Sequence, residues 1–197
     1  MPFRCVRHVK RTRLRGLCLA RPAAAHYIGI AALSDSLDLR TITIVSGGQT
    51  GADRAALDFA IDHNIAHGGW CPRGRLAEDG KTPPRYQLSE TPSRSYSQRT
   101  EWNVRDTDAT VVFSIAPKPM GGTALTLAVA RRLKKPCLHL ARDTTEVATP
   151  RDLAQRLLAF LHEHQVSRLN IAGPRASQEP EIESFVRDVL SAALVAQ

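Results

Sequence analysis

Cysteine is scarce in this chain, and the four cysteines that occur form no CxxC pair. Cys5 and Cys18 lie near the N-terminus, whereas Cys71 and Cys137 are widely separated further along. This spacing fits neither a zinc knuckle nor a disulfide framework. The histidines are likewise scattered, so we expect no direct protein ligand to a metal. The cysteine usage favours a reducing, cytoplasmic location.

Long apolar runs and early acidic residues are also missing. Because no run of about 18 apolar residues occurs, we expect no membrane span. The first 30 residues contain no Asp or Glu, and residues 1–40 carry six of the eight net positive charges. We expect residues 1–40 to be a disordered basic tail, serving as a targeting presequence or interaction arm, or else sequence that precedes the true translation start.

The rest of the chain has little net charge of either sign. From residue 41 onward the excess of Lys and Arg over Asp and Glu is only two. Affinity for duplex DNA comes mainly from clustered cations that displace counterions. A nearly balanced body therefore makes nucleic acid an unexpected partner.

Alternating β-rich and helical segments fill the chain from residue 41. We predict strands at 41–45, 68–71, 109–115, 136–140 and 168–172, helices at 52–63, 98–106, 123–133, 150–164 and 181–194, and a long loop at 72–97. Such alternation is typical of a parallel sheet covered by helices. The prediction is one α/β domain over 41–197, a Rossmann-like three-layer fold with a mostly parallel sheet and helices on both faces.

Three predicted strands each run through a glycine turn into a helix, at 47–51, 120–123 and 173–177. In a parallel α/β sheet these turns share the carboxyl edge and line one crevice. Backbone N–H groups at glycine turns and helix starts favour phosphate. The turns contain neither GxGxxG nor the Gly-Lys-[Ser/Thr] ending of a Walker A loop, which argues against a dinucleotide dehydrogenase and a P-loop NTPase.

The candidate ligand-binding residues lie in and beside these turns. Asp53 either caps its helix or hydrogen-bonds a ligand hydroxyl, and Asn103 is either a ligand donor or exposed. Trp102 is either core packing or a surface on which a ring could stack. The predicted ligand-binding set is Gly47, Gly48, Gln49, Thr50, Gly51, Asp53, Arg73, Arg99, Asn103, Gly121, Gly122, Thr123, Gly173, Arg175 and Ser177.

Five segments carry a family resemblance. They are TIVSGGQTGADRAALD (43–58), CPRGRLAEDG (71–80), TEWNVRDTD (100–108), GGTALT (121–126) and NIAGPRAS (170–177). In this order they resemble the molybdenum cofactor carrier proteins, which are circularly permuted relatives of the YpsA proteins within the class that includes LOG and DprA proteins. The resemblance spans about residues 41–195.

The resemblance implies binding of the molybdenum cofactor (molybdopterin), whose phosphate and oxo-metal end are anionic. It also implies a homo-oligomer, a dimer or tetramer, with molybdoenzymes or proteins of cofactor biosynthesis as partners. The expected function is to bind and carry this small anionic ligand for storage, protection or transfer.

Two rival functions follow from the same class. LOG-type phosphoribohydrolases carry Pro-Gly-Gly-x-Gly-Thr-x-x-Glu, and Thr126 stands where their catalytic Glu is expected. A threonine cannot serve as a carboxylate base near neutral pH, which favours binding over catalysis. DprA-like nucleic-acid binding would rest on the basic tail alone. Other acids that an enzyme could use are Asp53, Glu78, Asp79, Glu101 and Asp106.

We predict that removing residues 1–38 leaves the melting temperature nearly unchanged, because this stretch has no periodic apolar face to pack on the body. Thermal unfolding of the full and truncated chains tests this. A fall of more than about 5 °C would mean that the stretch packs on the domain.

Overall fold

The computed structural model describes residues 42–143 and 148–195. The predicted tail at 1–40 and the first residue of the first predicted strand lie outside these ranges. The described elements are, in order, β1 (Thr43–Val45), α1 (Ala52–Asp62), β2 (Ala66–Gly68), β3 (Trp70–Cys71), β4 (Leu76–Ala77), β5 (Gly80–Lys81), β6 (Ser89–Glu90), α2 (Tyr96–Arg105), β7 (Ala109–Ser114), α3 (Gly121–Arg132), β8 (Cys137–Ala141), α4 (Pro150–Glu163), β9 (Arg168–Ala172) and α5 (Ile182–Leu194).

Five of these strands form one sheet in the order β2-β1-β9-β7-β8, and every adjacent pair is parallel. The predicted α/β fold with a mostly parallel sheet is confirmed. All six residues of β7 are buried, as expected of a central strand covered on both faces. The β-branched residues within Ala-Thr-Val-Val-Phe-Ser suit that environment.

Helices cover the sheet in two groups. α1 and α4 each pack on α5, and the three helices share a large apolar core with the sheet, including Phe59, Leu157 and Phe185. α2 and α3 pack together around a smaller cluster of Val104, Val129 and Ala130. The second group belongs to the other face, which completes the three predicted layers.

The predicted loop at 72–97 contains short strands that its composition does not indicate. β3 pairs with β6 in parallel, and β4 pairs with β5 as an antiparallel hairpin. Arg75 holds this segment together, since its guanidinium donates to the backbone carbonyls of Thr82, Pro83, Tyr86 and Leu88 at 2.8–3.2 Å. Such contacts join residues distant in sequence and leave no periodic pattern.

The predicted strand at 68–71 is divided in the structure. Ala66–Gly68 joins the central sheet as β2, whereas Trp70–Cys71 belongs to the small sheet with β6. Gly69 separates them with a φ of 134°. A side chain on Gly69 would collide with the carbonyl oxygen of Ser46, so the chain turns where only glycine fits.

The loops after β1, β7 and β9 meet at the carboxyl edge of the sheet. The Ala52 N–H donates to the Pro174 carbonyl at 3.2 Å, which joins the first and last of these loops. A Cβ on Gly173 would come within 2.6 Å of the Ala52 Cβ and 2.7 Å of the Phe113 carbonyl oxygen. Because α5 and α3 leave β9 and β7 toward opposite faces, the crevice between these strands is the topological switch point, where ligands bind in open α/β sheets.

We predict that Gly173→Ala lowers the free energy of unfolding by about 2 kcal/mol, because backbone and Cβ atoms on both sides would have to move apart. Gly122→Ala is the matched control. Apart from its chain neighbours and the backbone of its own helix, no described heavy atom lies within 4 Å of a Cβ at that position, so denaturant unfolding should show no loss. Equal stability of the two variants would contradict the packing at Gly173.

Candidate functional site

A cavity of ≈ 240 Å³ opens at this switch point. Its walls come from the loop after β1, from α2, from the first two turns of α3 and from the loop after β9. The predicted ligand-binding residues that line it are Gln49, Asp53, Arg99, Gly122, Thr123, Gly173 and Arg175. Residues from all three glycine turns are therefore brought together, as expected of loops on one sheet edge.

The Gln49 side chain is held in one orientation. Its Oε1 accepts hydrogen bonds from the Thr50 N–H at 3.0 Å and from the Glu78 N–H at 2.8 Å. The residue is only 4% exposed, and its Nε2 has no hydrogen-bond partner among the described residues. Because two backbone donors fix the oxygen, the amide nitrogen is left as a desolvated donor on a residue that lines the cavity.

Arg99 and Asp53 form a buried ion pair in the same wall. Arg99 Nη2 lies 3.1 Å from Asp53 Oδ2, with 13% and 3% of the two side chains exposed. Asp53 Oδ2 also accepts from the Gln49 N–H at 3.2 Å. Burial raises the pKa of the Asp53 carboxyl, and the charge of Arg99 opposes part of that rise. Arg99 Nε, like the Gln49 amide, is buried without a partner in the described part of the chain.

The start of α3 faces the cavity without a cap. Met120 occupies the N-cap position, and no side chain of the described residues caps the helix there. Gly122 and Thr123 line the cavity. The uncompensated N–H groups of a first helical turn carry partial positive charge. This end of the cavity therefore favours an anion.

Arg175 brings a cation to the opposite side. Its guanidinium lies 5.1 Å from the centre of the Tyr96 ring, and both residues line the cavity. Tyr96 precedes Arg99 by three residues on α2, so the two share one face of that helix. That spacing is a sequence signal from which Tyr96 could have been found.

The glycines of the first loop allow close packing of neighbouring residues and do not form an open anion-binding surface. Gly47 has no side chain because the Arg99 guanidinium fills that space. Gly48, at a φ of 74°, packs against Thr82 and Leu88. The Gly51 N–H donates to Glu183 Oε1 at 3.1 Å. None of these three glycines lines the cavity, and neither does Gly121.

The remaining predicted residues are engaged elsewhere. Asn103 uses its side-chain amide to pair with the backbone N–H and carbonyl of Trp70 at 2.7 and 3.0 Å. Arg73 is exposed and does not line the cavity. Thr50 and Ser177 both donate to the Glu78 carboxylate. Trp102 contacts Trp70 edge-on and lies outside the cavity wall.

Sequence reasoning missed part of the cavity wall. Tertiary packing places Tyr96, Thr100, Leu125, Ala172 and Gln178 there, in addition to Thr126. Apart from the α2 spacing, these residues belong to no local motif. Within residues 42–143 and 148–195, no group of three or more His, Cys, Asp or Glu side chains is arranged to hold a metal ion.

The parallel sheet, the helices on both faces and the crevice at the switch point define a Rossmann-like α/β protein. Residues 44–194 match the model of the circularly permutated YpsA SLOG family, and the chain belongs to that family.

Among solved structures, the chain is similar to one from Syntrophus aciditrophicus SB named "Putative molybdenum carrier protein", with 49% identity and a TM-score of 0.76. The match covers 79% of this chain and 97% of the other. Comparison with curated proteins gives no match. No helix in the described ranges has the length and apolar character needed to cross a bilayer.

We predict that Arg99→Met destabilises the fold by about 3 kcal/mol at pH 7, because it leaves the Asp53 carboxylate buried without its cation. The pKa of Asp53, already raised by burial, should rise further. The folded variant then holds a proton that the unfolded chain releases, so the deficit should shrink as the pH falls toward the ordinary carboxyl range.

Denaturant unfolding at pH 7 and pH 5 measures this change. The double variant Arg99→Met/Asp53→Asn is the control, because it has no buried charge to neutralise and should lack this pH-dependent recovery. A deficit in Arg99→Met that stays constant with pH would show that lost packing, rather than the stranded carboxylate, causes the instability.

Proposed function

We propose that this chain binds and carries a small anionic ligand, and that the ligand is the molybdenum cofactor, held for storage, protection or transfer. The observation that carries the proposal is the donor-rich wall of the cavity. Gln49 and Arg99 line the cavity, and each carries a buried donor without a partner among the described residues, Gln49 Nε2 and Arg99 Nε. A buried donor without an acceptor costs about 1–3 kcal/mol, and a ligand oxygen that reached either donor would recover that cost.

The charges around the cavity support an anion. Arg175 and the uncapped start of α3 add positive potential on two sides. Arg99 is largely neutralised by Asp53, which leaves the surroundings moderately positive. A phosphate or an oxo-metal group meets these requirements, whereas a cation does not.

The cavity's size supports partial enclosure of the ligand. Its volume of ≈ 240 Å³ is below the range of about 300–1,000 Å³ usual for sites that bury a drug-sized molecule. We infer that one anionic end lies inside and that the pterin extends past the rim. Tyr96 and Leu125, 36% and 39% exposed, offer apolar surface there.

The similarity to a protein named a molybdenum carrier supports molybdenum cofactor as the cargo. On the same ground we propose molybdoenzymes or cofactor-biosynthesis proteins as partners. We also propose a homo-oligomer, a dimer or tetramer. Met120, at the start of α3, is 79% exposed, more than any other large apolar side chain of the described residues, and a second copy would cover it.

Nucleotide hydrolysis is the second candidate, and Asp53 is the observation that favours it. Asp53 is the one carboxylate among the described residues that line the cavity, and burial raises its pKa. Its oxygen is nevertheless engaged by Arg99 and by the Gln49 N–H. Thr126, at the position of the LOG-type Glu, donates to the Gly122 carbonyl at 3.0 Å. Neither group is an unengaged general base, which supports the carrier.

We predict that the chain binds molybdenum cofactor with a Kd on the order of micromolar, weakening as salt screens the arginine. Arg175→Gln should weaken binding about tenfold, because a charge-assisted contact is lost. Arg73→Gln removes the same charge from an exposed position outside the cavity and should change the Kd less than about twofold. Anaerobic titration, followed by protection of the cofactor from oxidation, measures both variants.

The same preparations should be incubated with purine nucleoside monophosphates. The carrier proposal expects no free base at enzyme-like rates of about one per second. Such turnover, abolished in Asp53→Asn and unaccompanied by protection of the cofactor, would establish the hydrolase instead.

A further inference from the structure

A carboxylate of the chain itself is held by donors from two of the glycine turns. The hydroxyl of Thr50, in the loop after β1, donates to Glu78 Oε1. The hydroxyl of Ser177, in the loop after β9, donates to Glu78 Oε2 at 2.5 Å, and the Ser177 N–H donates to Oε1 at 3.3 Å. Two hydroxyls and one backbone N–H thus converge on the two oxygens of Glu78, which belongs to the β4–β5 hairpin.

This donor set is suited to a phosphate oxygen. It lies at the carboxyl edge of parallel strands, next to the turn into α1. The hydrogen bonds from Ser177 and Thr50 lower the pKa of the Glu78 carboxyl, and the charge of Arg175 adds to that effect. The surroundings of Glu78 therefore favour negative charge at this point.

The donor set is linked directly to the cavity. Gln49 Oε1 accepts from both the Thr50 and the Glu78 N–H groups. Gln49 itself lines the cavity, and its buried Nε2 has no partner in the described part of the chain. Arg175 lines the same cavity and acts on Glu78 from two residues before Ser177. A ligand that reaches past Gln49 and Arg175 would meet Thr50 and Ser177 next.

We propose that Thr50 and Ser177 form a second oxyanion subsite beside the cavity, which the Glu78 carboxylate occupies until a phosphate or similar oxyanion of the ligand displaces it. This inference rests on the proposed function. It adds that the ligand class carries anionic groups at two points, one for the cavity and one for this subsite. It also explains why two residues predicted to bind ligand are engaged by a carboxylate here.

Displacement of Glu78 does not require the hairpin to unfold. Glu78 is exposed, and an exposed charge loses little when its contacts with the protein are exchanged for water. The hairpin has a separate anchor, since Arg54 holds Asp79 with two hydrogen bonds at 2.5 and 2.8 Å. The Glu78 side chain can therefore rotate into solvent while the hairpin stays in place.

Inorganic phosphate is the probe, and the backbone N–H signals of the full chain in two-dimensional ¹H–¹⁵N spectra are the readout. The chemical-shift change of the Ser177 N–H should saturate at a phosphate concentration about three- to tenfold lower in Glu78→Ala than in the unmodified chain. Glu78→Gln, which keeps the shape and loses the charge, should show a smaller gain in the same direction. Adding Ser177→Ala to Glu78→Ala should remove the gain.

Glu181→Gln is the matched control, because it removes one exposed negative charge close to Ser177 in sequence, where the side chain pairs with Arg142 and not with Thr50, Ser177 or the hairpin. An equal gain in Glu181→Gln would overturn the subsite and leave only a general charge effect. Unchanged or weaker phosphate response in both Glu78 variants would likewise overturn it.

The chemical shift of the Gly122 N–H reports on the cavity and therefore tests the proposed function separately from this inference. Phosphate shifts at Gly122 with none at Ser177 in any variant would retain the cavity and reject the subsite. Absence of shifts at both positions would reject anion binding at the cavity and the subsite together.

Discussion

A buried ion pair across the sheet edge holds the candidate site in shape. Asp53 begins α1 on one face and Arg99 belongs to α2 on the other, and their side chains meet at 3.1 Å beside Gly47. Two charges removed from water are tolerated only with close pairing and further hydrogen bonds. The pair therefore keeps both helices and the β1 loop in place, and the cavity walls that they form are fixed relative to the core.

The same pair orders the polar groups around it. Asp53 accepts from the Gln49 N–H, and the Gln49 side chain is then fixed by the Thr50 and Glu78 N–H groups. Each contact satisfies one group and fixes the orientation of the next, and the Gln49 Nε2 at the end has no acceptor among the described residues. Buried polar groups in folded proteins are nearly always paired. This exception belongs to a residue that lines the cavity, which is why the proposed function gives Gln49 a part in binding.

Local patterns predicted the layers of the fold well, because composition and periodicity indicate most strands of the central sheet and the helices that cover it. β7, with its β-branched and fully buried residues, and the amphipathic α4 are examples. The turns were also placed on the correct edge, since that follows from parallel topology alone. The contacts that each turn residue makes could not be predicted from the sequence. Gly47 is small because Arg99, more than fifty positions away, fills its side-chain space.

The partners of three carboxylates could not be predicted from the sequence either. Glu78, Glu179 and Glu183 accept from backbone N–H groups of loops at the carboxyl edge, those of Ser177, Ile115 and Gly51 respectively. Sequence reasoning assigned none of the three to such a contact. Only the folded chain shows that backbone donors of these loops are occupied by the protein's own carboxylates.

Those internal carboxylates bear on how a carrier can work. A carrier must hold its ligand and also give it up, and a cradle of bare donors would bind an anion tightly while destabilising the empty protein. In the proposed subsite the exposed Glu78 would meet both requirements, because its carboxylate satisfies Thr50 and Ser177 when ligand is absent and would compete with a ligand oxyanion for them. Because Glu78 and the ligand would exchange for the same donors, the net gain on binding would be small, and release would leave no donor unpaired. The moderate affinity that a carrier needs can thus be built into the chain by the position of one glutamate.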